Sequence, residues 1–318
     1  MNKRIYERPV LRKVVEGIPN KFGSLKRLRP ISTIDNVEID SLIEEYGSPV
    51  FVLSEKTIRD TYKNAYRAFS TRYPKVQFAW SYKTNYLDAV CRIFHQEGAW
   101  AEVVSGFEYE KAIDNNTPGN KIIFNGPDKS EEDLVKAINN KSIIHIDHFD
   151  ELYMILGLTD QLKERPQVAI RVNMDTGIIP QWDRFGFNYE NGEAWNAINR
   201  ILSSKKMDFI GLHVHIGTYI TISKPYAVAI EKLAALANKT YNRFQKSIGY
   251  IDVGGGFASQ NTLQGAYMPA TDTTPSFDDY AHAITTAMTA ADFPNNETPT
   301  LILETGRALI DDAGWLAG

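Results

Sequence analysis

Cysteine is almost absent from this chain of 318 residues, because Cys91 is its one thiol and no disulfide can form within the chain. Long apolar runs are lacking too, since no segment approaches the roughly 20 apolar residues that a membrane-spanning helix needs. Charges occupy the N-terminal positions where a secretory signal would have its apolar core. We therefore expect a protein of a reducing compartment, the cytoplasm, that does not insert into a membrane.

A strong excess of charge of either sign is lacking as well. The chain has 35 basic and 39 acidic residues, a formal net charge of -4 at pH 7. This balance gives no electrostatic reason to expect nucleic acid as a partner, and a small molecule is the better expectation. The first thirty residues differ, with nine basic residues against two acidic ones. Short basic tails usually carry no specific site, so we interpret this arm as a solvated or partner-packed extension.

What the chain does contain is an alternation of short β-branched or aromatic runs with longer segments of helical period. This pattern is typical of repeated βα units over a parallel sheet. Eight strands are predicted, at Val76–Tyr82, Trp100–Val104, Lys121–Phe124, Ser142–Asp147, Gln167–Val172, Phe209–His215, Tyr250–Val253 and Thr300–Glu304. Helices are predicted between them, at Tyr86–Gln96, Glu131–Asn139, Phe149–Leu162, Ala194–Ser203, Pro225–Phe244 and Phe277–Ala291.

Eight such units over about 240 residues match a TIM (β/α)8 barrel, whose typical length is roughly 250 residues. The rival, a doubly wound open sheet, usually has fewer strands and a glycine-rich turn after the first, where residues 82–85 contain no glycine. Before the barrel, Ile34–Gly47 is predicted to be a helix, Pro49–Leu53 a strand outside the eight, and Ser54 the N-cap of a helix over Glu55–Ser70. The expected domains are a basic arm with a short helix (1–48), the barrel with its lead-in strand (49–312), and the start of a truncated C-terminal β domain (313–318).

Barrel active sites are built at the carboxyl ends of the strands. The polar residues and glycines of interest at these ends are Lys83, His213, His215, Thr218, Gly254, Gly255, Gly256, Glu304 and Arg307. A triple glycine lets backbone N–H groups point at an anion, and the loops after the seventh and eighth strands commonly bind phosphate in barrels. Arg307 would add a bidentate clamp. These features predict a phosphate site.

Lys83 follows an apolar strand and faces the predicted phosphate site. Desolvation there is expected to lower the pKa of the amine and make it a nucleophile toward carbonyl groups. A nucleophilic lysine beside a phosphate pocket suits pyridoxal 5′-phosphate. A carboxylate such as Glu304 beside the pyridine nitrogen would keep the ring protonated, so that the ring accepts the electron pair released when a bond to Cα breaks.

Two histidines, His213 and His215, stand two apart on the sixth strand and so share a face. The pair also resembles a metal-binding pair, but a barrel metal hydrolase would be expected to place such a pair on its first strand, and none stands there. We therefore expect no metal. The remaining alternative is that both histidines are simply hydrogen-bonded in a polar barrel mouth.

Taken together, these motifs resemble the diaminopimelate decarboxylase family, within the wider group of ornithine and arginine decarboxylases. The resemblance covers about residues 32–318, and Thr218, Thr305 and Glu102 are small departures from the family pattern. The segments that carry it are residues 46–53, 81–85, 101–106, 184–187, 213–218, 254–256 and 304–307.

The resemblance implies a function and a role for each matching residue. Lys83 would form the aldimine with pyridoxal phosphate, His215 would stack on the ring, and Glu304 would bond the ring nitrogen and stabilise a quinonoid. Thr218, Gly254–Gly256 and Arg307 would hold the phosphate. The implied reaction is decarboxylation of an amino acid, diaminopimelate to lysine first among the candidates, by a homodimer.

Two alternative functions stay open, and one catalytic group is not identified. An alanine racemase shares the barrel and a cofactor lysine, although a racemase of that type places an arginine where Glu304 stands here. A non-catalytic cofactor-binding module is the second alternative. Family members continue into a β-rich second domain that supplies a cysteine acid and substrate-binding groups, so Cys91, on a predicted helix, is not assigned that role. We find no Cα proton donor at the strand ends.

Overall fold

The computed structural model describes residues 31–259 and 274–318, so the basic arm lies outside the described residues. The chain divides into two compact units, one of residues 1–50 with 317–318 and the other of residues 51–316. In the first unit, the short strands Thr33–Ile34 and Val37–Glu38 pair antiparallel and the helix Ile39–Tyr46 follows.

The helix predicted over Ile34–Gly47 is therefore wrong in its first five residues. Asp35 and Asn36 adopt positive φ angles of 50° and 67°. Two consecutive residues with positive φ form the tight turn that joins antiparallel strands, and asparagine and aspartate tolerate this conformation better than most residues. The local turn chemistry outweighs the helical period of the apolar positions.

The second unit is a closed barrel of eight parallel strands, which confirms the predicted fold. Each strand pairs with its sequence neighbour, and the first pairs with the eighth, which closes the ring. From first to eighth the barrel strands are Val76–Ser81, Trp100–Val103, Ile122–Phe124, Ile143–Ile146, Gln167–Asn173, Asp208–Val214, Tyr250–Asp252 and Thr300–Leu303. A further short strand, Phe187–Asn188, runs beside the fifth.

Helices follow the strands and cover the outside of the barrel. They are Glu55–Ser70, Asp88–Gln96, Gly106–Asp114, Glu131–Asn139, Phe149–Leu158, Glu193–Ser204, Lys224–Phe244, Phe277–Ala290 and the short Arg307–Ile310, with 3-10 turns at Gly119–Lys121, Pro294–Asn296 and Asp311–Ala313. The Ser54 hydroxyl accepts a hydrogen bond from Thr57 N, as its predicted N-cap role requires. Sequence reasoning missed the helix Gly106–Asp114. Among the described residues, none of the helices combines the length and apolarity needed to cross a bilayer.

The lead-in strand lies outside the eight, as predicted. Val50–Leu53 pairs with Gly314–Ala317 in a separate two-stranded sheet. The chain then enters the barrel, where Ser54 N donates to Ala313 O at 2.8 Å.

The interior of the barrel is layered, because alternate residues of each strand point inward. One layer is mainly apolar and consists of Ala79, Ile123, Ile143, Ala169, Tyr250 and Ile302. Two residues further along each strand, toward the carboxyl end, the inward positions are all polar: Ser81, Glu102, Asn125, His145, Arg171, His213, Asp252 and Glu304. We call these eight residues the polar layer, and the fold therefore gathers polar side chains at the end where barrel sites form.

A buried ion pair fixes the loop after the third strand. Lys129 Nζ donates to Glu151 Oε1 at 2.7 Å and to the carbonyl oxygens of Gly126 and His145 at 2.6 and 3.0 Å. Glu151 Oε2 in turn accepts from Asp147 N at 2.8 Å. Both charged groups are satisfied, as buried charges must be.

Replacing Lys129 with methionine is expected to lower the free energy of unfolding by about 3–5 kcal/mol, because Glu151 would remain as an uncompensated buried carboxylate. Urea denaturation measures the change. The double variant Lys129→Met/Glu151→Gln should recover part of the loss, since it leaves no unpaired charge. A single variant as stable as the unmodified chain would show that the pair does not hold this loop.

Candidate active site

A cavity of about 440 Å³ opens at the carboxyl ends of the barrel strands. Seven of the eight residues to which a catalytic or cofactor-binding role was assigned line this cavity. The full lining is Ser81, Lys83, Thr84, His215, Thr218, Tyr219, Gly255, Gly256, Phe257, Glu304, Gly306, Arg307, Ile310 and Asp311. Gly254 is not part of this lining. Residues as distant in sequence as Lys83 and Arg307 thus share one cavity.

Lys83 reaches the cavity from the end of the first strand and pairs with Glu102 of the second. Its Nζ donates to Glu102 Oε2 at 2.7 Å and to Oε1 at 2.9 Å. The lysine side chain is 47% exposed, toward the cavity, whereas that of Glu102 is fully buried. Ser81 Oγ and Asn125 Nδ2 also donate to Glu102, at 2.5 and 3.1 Å. Glu102 is therefore a fixed acceptor that orients the amine.

The predicted decrease in the pKa of Lys83 is wrong for this chain. Desolvation lowers the pKa of Lys83, but the charges of Glu102 and Glu304 and the Glu102 hydrogen bond together raise it above its usual value. The amine is therefore held as a cation. Reaction with a carbonyl group requires that this proton leave first.

Glu304 lies at the floor of the cavity and is almost fully buried. Asn125 Nδ2 donates to its Oε1 at 2.5 Å, and His213 Nε2 lies 3.2 Å from its Oε2. Glu304 directly follows the eighth strand, which ends at Leu303, and its backbone N–H still donates to Gly254 O at 2.9 Å. Its carboxylate is held from below and remains accessible from the cavity.

The two histidines of the sixth strand lie in different environments. His215 lines the cavity, and its Nδ1 accepts a hydrogen bond from Gly255 N at 3.3 Å. Burial, together with the charge of Arg171, lowers the pKa of His215 to about 3, so its ring is neutral at physiological pH. His213 belongs to the polar layer instead, where its ring stacks on that of His145 with centroids 4.7 Å apart.

The fold therefore does not bring His213 and His215 together as a metal-binding pair. The group of potential ligands found in the described ranges joins His213 to His145, Asp252 and Glu304, and omits His215. Neutral histidines suit this interior, because burial lowers the pKa of His213 and of His145 well below the usual value.

The glycines after the seventh strand form a surface on which no side chain would fit. A Cβ on Gly255 would lie 2.4 Å from Glu304 O, and one on Gly256 would lie 2.2 Å from Gly217 O. Gly256 also has a φ of 90°, in the left-handed region that favours glycine. Gly254 lies behind this surface, where its N–H donates to Asp252 Oδ1 at 2.8 Å.

Arg307 and Thr218 line the cavity beside these glycines. The Arg307 guanidinium lies over the Tyr219 ring, 5.8 Å from its centroid. Both Arg307 and Thr218 are exposed residues, so their donors are available to a ligand. A guanidinium, a hydroxyl and a glycine backbone make one wall of the cavity suited to an anion such as phosphate.

Sequence reasoning missed the roles of four residues of the polar layer. Glu102, Asn125, Arg171 and Asp252 surround the groups that line the cavity, and none was assigned a role from the sequence. Their signal was present, since each stands two residues beyond an inward residue of its strand. A list of inward positions for every strand would have found them.

Comparison with known proteins gives one matching family model and many relatives of one kind. The family described as "Pyridoxal-dependent decarboxylase, pyridoxal binding domain" matches residues 59–311. Diaminopimelate decarboxylase of Methanocaldococcus jannaschii is 31% identical over 302 residues, which cover 90% of this chain and 66% of that protein. The diaminopimelate decarboxylase of Bacillus subtilis is 28% identical over 293 residues, covering 88% of this chain and 65% of that protein.

Solved structures agree with these relatives. A crystal structure of the M. jannaschii diaminopimelate decarboxylase superimposes with a TM-score of 0.80 at 29% identity, over 89% of this chain and 66% of that one. The chain thus spans slightly less than two thirds of the length of the relatives it matches.

Proposed function

The chain belongs to the pyridoxal-dependent decarboxylases, whose pyridoxal-binding domain it matches, and on that premise we propose that it binds pyridoxal 5′-phosphate and removes the carboxylate of an amino acid. The observation that carries the proposal is the convergence of a lysine, a neutral histidine, a carboxylate and an anion-binding wall on one cavity.

The cavity fits the cofactor in size and in chemistry. Its volume of about 440 Å³ falls within the roughly 300–1,000 Å³ usual for small-molecule sites. The wall of Gly255 and Gly256 leaves room that any Cβ would fill, and we assign the phosphate to this wall with Thr218 and Arg307. Gly254 supports it from behind by its hydrogen bond to Asp252.

Pyridoxal phosphate supplies a pyridine ring that accepts the electron pair left on Cα when its bond to the carboxylate breaks. We assign the covalent attachment to Lys83, whose amine is oriented by Glu102. His215 presents a neutral ring that can stack on an aromatic plane without adding charge. Glu304 holds a proton on the ring nitrogen, since its carboxylate faces the cavity and is fixed by Asn125.

The substrate is proposed from the relatives. The relatives from M. jannaschii and B. subtilis are named diaminopimelate decarboxylases, so diaminopimelate, with lysine as the product, is the substrate that we propose. We further propose that the protein acts as a homodimer in the cytoplasm. The single cysteine, buried and free, is consistent with a reducing compartment.

The decisive assay is to incubate the protein and pyridoxal phosphate with diaminopimelate and follow released CO2 together with optical rotation. Stoichiometric CO2 supports the decarboxylase. Loss of rotation without CO2 would identify a racemase, and absorbance of bound cofactor without either change would identify a non-catalytic module.

Arg307→Ala is expected to weaken binding of pyridoxal phosphate on the order of 10- to 100-fold, as loss of a hydrogen bond between charged groups predicts. Binding of pyridoxal, which lacks the phosphate, should change little. Titration of cofactor absorbance measures both. The control is Arg243→Ala, because Arg243 lies in the last turn of an outer helix. An equal loss for both ligands would remove Arg307 from the phosphate site.

A further inference from the structure

Asp252 is a second carboxyl group beside Glu304, and the proposed chemistry leaves it without a role. It ends the seventh strand and its side chain is fully buried. Oδ1 accepts from Gly254 N at 2.8 Å, whereas Oδ2 is buried and accepts no hydrogen bond from residues 31–259 or 274–318. Single ligand atoms of Asp252, Glu304, His145 and His213 all lie within 4.8 Å of one another.

The nearby cations are already paired with other carboxylates. Lys83 Nζ bonds Glu102 at 2.7 Å, Lys129 Nζ bonds Glu151 at 2.7 Å, and Arg171 Nη1 lies 3.7 Å from Asp147. Within the described ranges, no lysine or arginine forms an ion pair with Asp252 or Glu304. Two buried carboxyl groups with oxygens within 4.8 Å of one another, neither in an ion pair with a lysine or arginine of the described ranges, do not both ionise at modest cost, so the geometry favours one proton between them.

We propose that Asp252 is a carboxylic acid in the folded chain and donates its proton to Glu304. The backbone N–H of Gly254 fixes Oδ1, which leaves Oδ2 as the oxygen that carries the proton. Asp252 is then a positioning residue, which with Asn125 holds the Glu304 carboxylate from below. This use of Asp252 rests on the proposed function, whereas its protonation does not.

The surroundings of Asp252 support this assignment. Burial and the charge of Glu304 raise the pKa of Asp252 well above its usual value. The histidines are poor candidates for the proton, because burial lowers their pKa values. The titratable and charged groups in and next to the polar layer, to which Asp252 belongs, are Lys83, Glu102, His145, Arg171, His213, Tyr250 and Glu304.

Infrared spectroscopy of the cofactor-free chain tests the proton directly. At pH 7, after dialysis against a chelator, the chain should show the carbonyl stretch of a protonated carboxyl group in a dry environment. Labelling aspartate with 13C at the carboxyl carbon should shift this band, and the same labelling of glutamate should not. Asp252→Asn should remove it. Asp312→Asn is the matched control, because partial burial also raises the pKa of Asp312, and this variant should keep the band.

Each other result overturns the proposal. A band that shifts only with labelled glutamate places the proton on Glu304. A band that is present after chelation but absent from the same chain before it shows that the four groups hold a cation and that Asp252 is ionised in the untreated chain. The absence of any band shows two ionised carboxylates. If Asp252→Asn fails to fold, the two isotope-labelled samples of the unmodified chain still show whether an aspartate or a glutamate carries the proton.

The pH dependence of stability gives a second readout. An acid whose pKa is raised on folding destabilises the folded state as pH rises above its unfolded pKa, because the unfolded chain releases the proton first. The Tm of the unmodified chain should therefore fall relative to that of Asp252→Asn from about pH 4 upward. A difference in Tm that does not change with pH would contradict the proposal.

Cofactor affinity separates positioning from simple packing. Asp252→Ala should weaken pyridoxal phosphate binding about tenfold or more, while Asp252→Asn, which still donates to Glu304, should recover most of that loss. Equal losses in the two variants would reject the positioning role. If neither the variants nor the unmodified chain bind the cofactor, the proposed function fails while the infrared result stands on its own.

Discussion

Lys83→Ala is expected to abolish covalent attachment of pyridoxal phosphate and to reduce decarboxylation on the order of a thousandfold or more. Among the described residues, Lys83 is the one lysine that lines the cavity, so no other amine of that lining can replace it. Borohydride reduction followed by peptide mass spectrometry locates the attached cofactor. In the unmodified chain the label should lie on Lys83, and in the variant it should be absent.

The control for this variant is Lys75→Ala. Lys75 precedes the same strand at its opposite end, where Nζ donates to Thr298 O at 2.9 Å. Its replacement should leave labelling and turnover within about twofold, as is usual for surface changes. Labelling of another lysine in Lys83→Ala, with turnover retained, would reject the assignment of Lys83.

The pH dependence of attachment should reveal the influence of Glu102. Since Glu102 raises the pKa of Lys83, its replacement by glutamine should lower that pKa and leave more of the amine neutral at a given pH. The rate of borohydride-trapped labelling should then rise at a lower pH in Glu102→Gln than in the unmodified chain. An unchanged profile would show that the ion pair does not control the amine.

The barrel could be predicted from the sequence because each of its strands and most of its helices have a recognisable local sequence pattern. The inward and outward faces of a buried strand are both mainly apolar, which produces runs such as Ile122–Phe124, and amphipathic helices separate these runs. The helix Gly106–Asp114 was missed because it begins with glycine, carries four charges among its nine residues and is stabilised by the Ser105 N-cap.

The candidate site could be predicted only in part. Residues just past the strand ends are visible in the sequence, which is why Lys83 and Glu304 were found. Their partners are not, because a contact such as that between Asn125 and Glu304 joins residues 179 positions apart. The direction of the shift in the Lys83 pKa could not be predicted for the same reason. The sequence shows an apolar strand before the lysine, but it does not show that the Glu102 carboxylate bonds the Lys83 amine.

Glu304→Gln is expected to preserve cofactor binding and to lower the rate of decarboxylation by roughly two to three orders of magnitude, the usual effect of losing one preorganised electrostatic group. The amide oxygen can still accept from Asn125, and Lys83, the glycine wall and Arg307 are unchanged, so the cofactor should still attach. A neutral amide cannot hold a proton on the ring nitrogen, and the ring then accepts electrons poorly. Cofactor titration and CO2 release, measured on the same sample, separate the two effects.

Two further variants make the test specific. Glu304→Asp keeps the charge on a shorter side chain and should retain more activity than Glu304→Gln. Glu108→Gln removes another buried carboxylate, one that accepts from Val104 N at 2.7 Å and is not part of the cavity lining, so its turnover should stay near that of the unmodified chain. Near-normal turnover in Glu304→Gln would mean that the ring nitrogen does not need this carboxylate, and the proton would have to be held by another group of the polar layer.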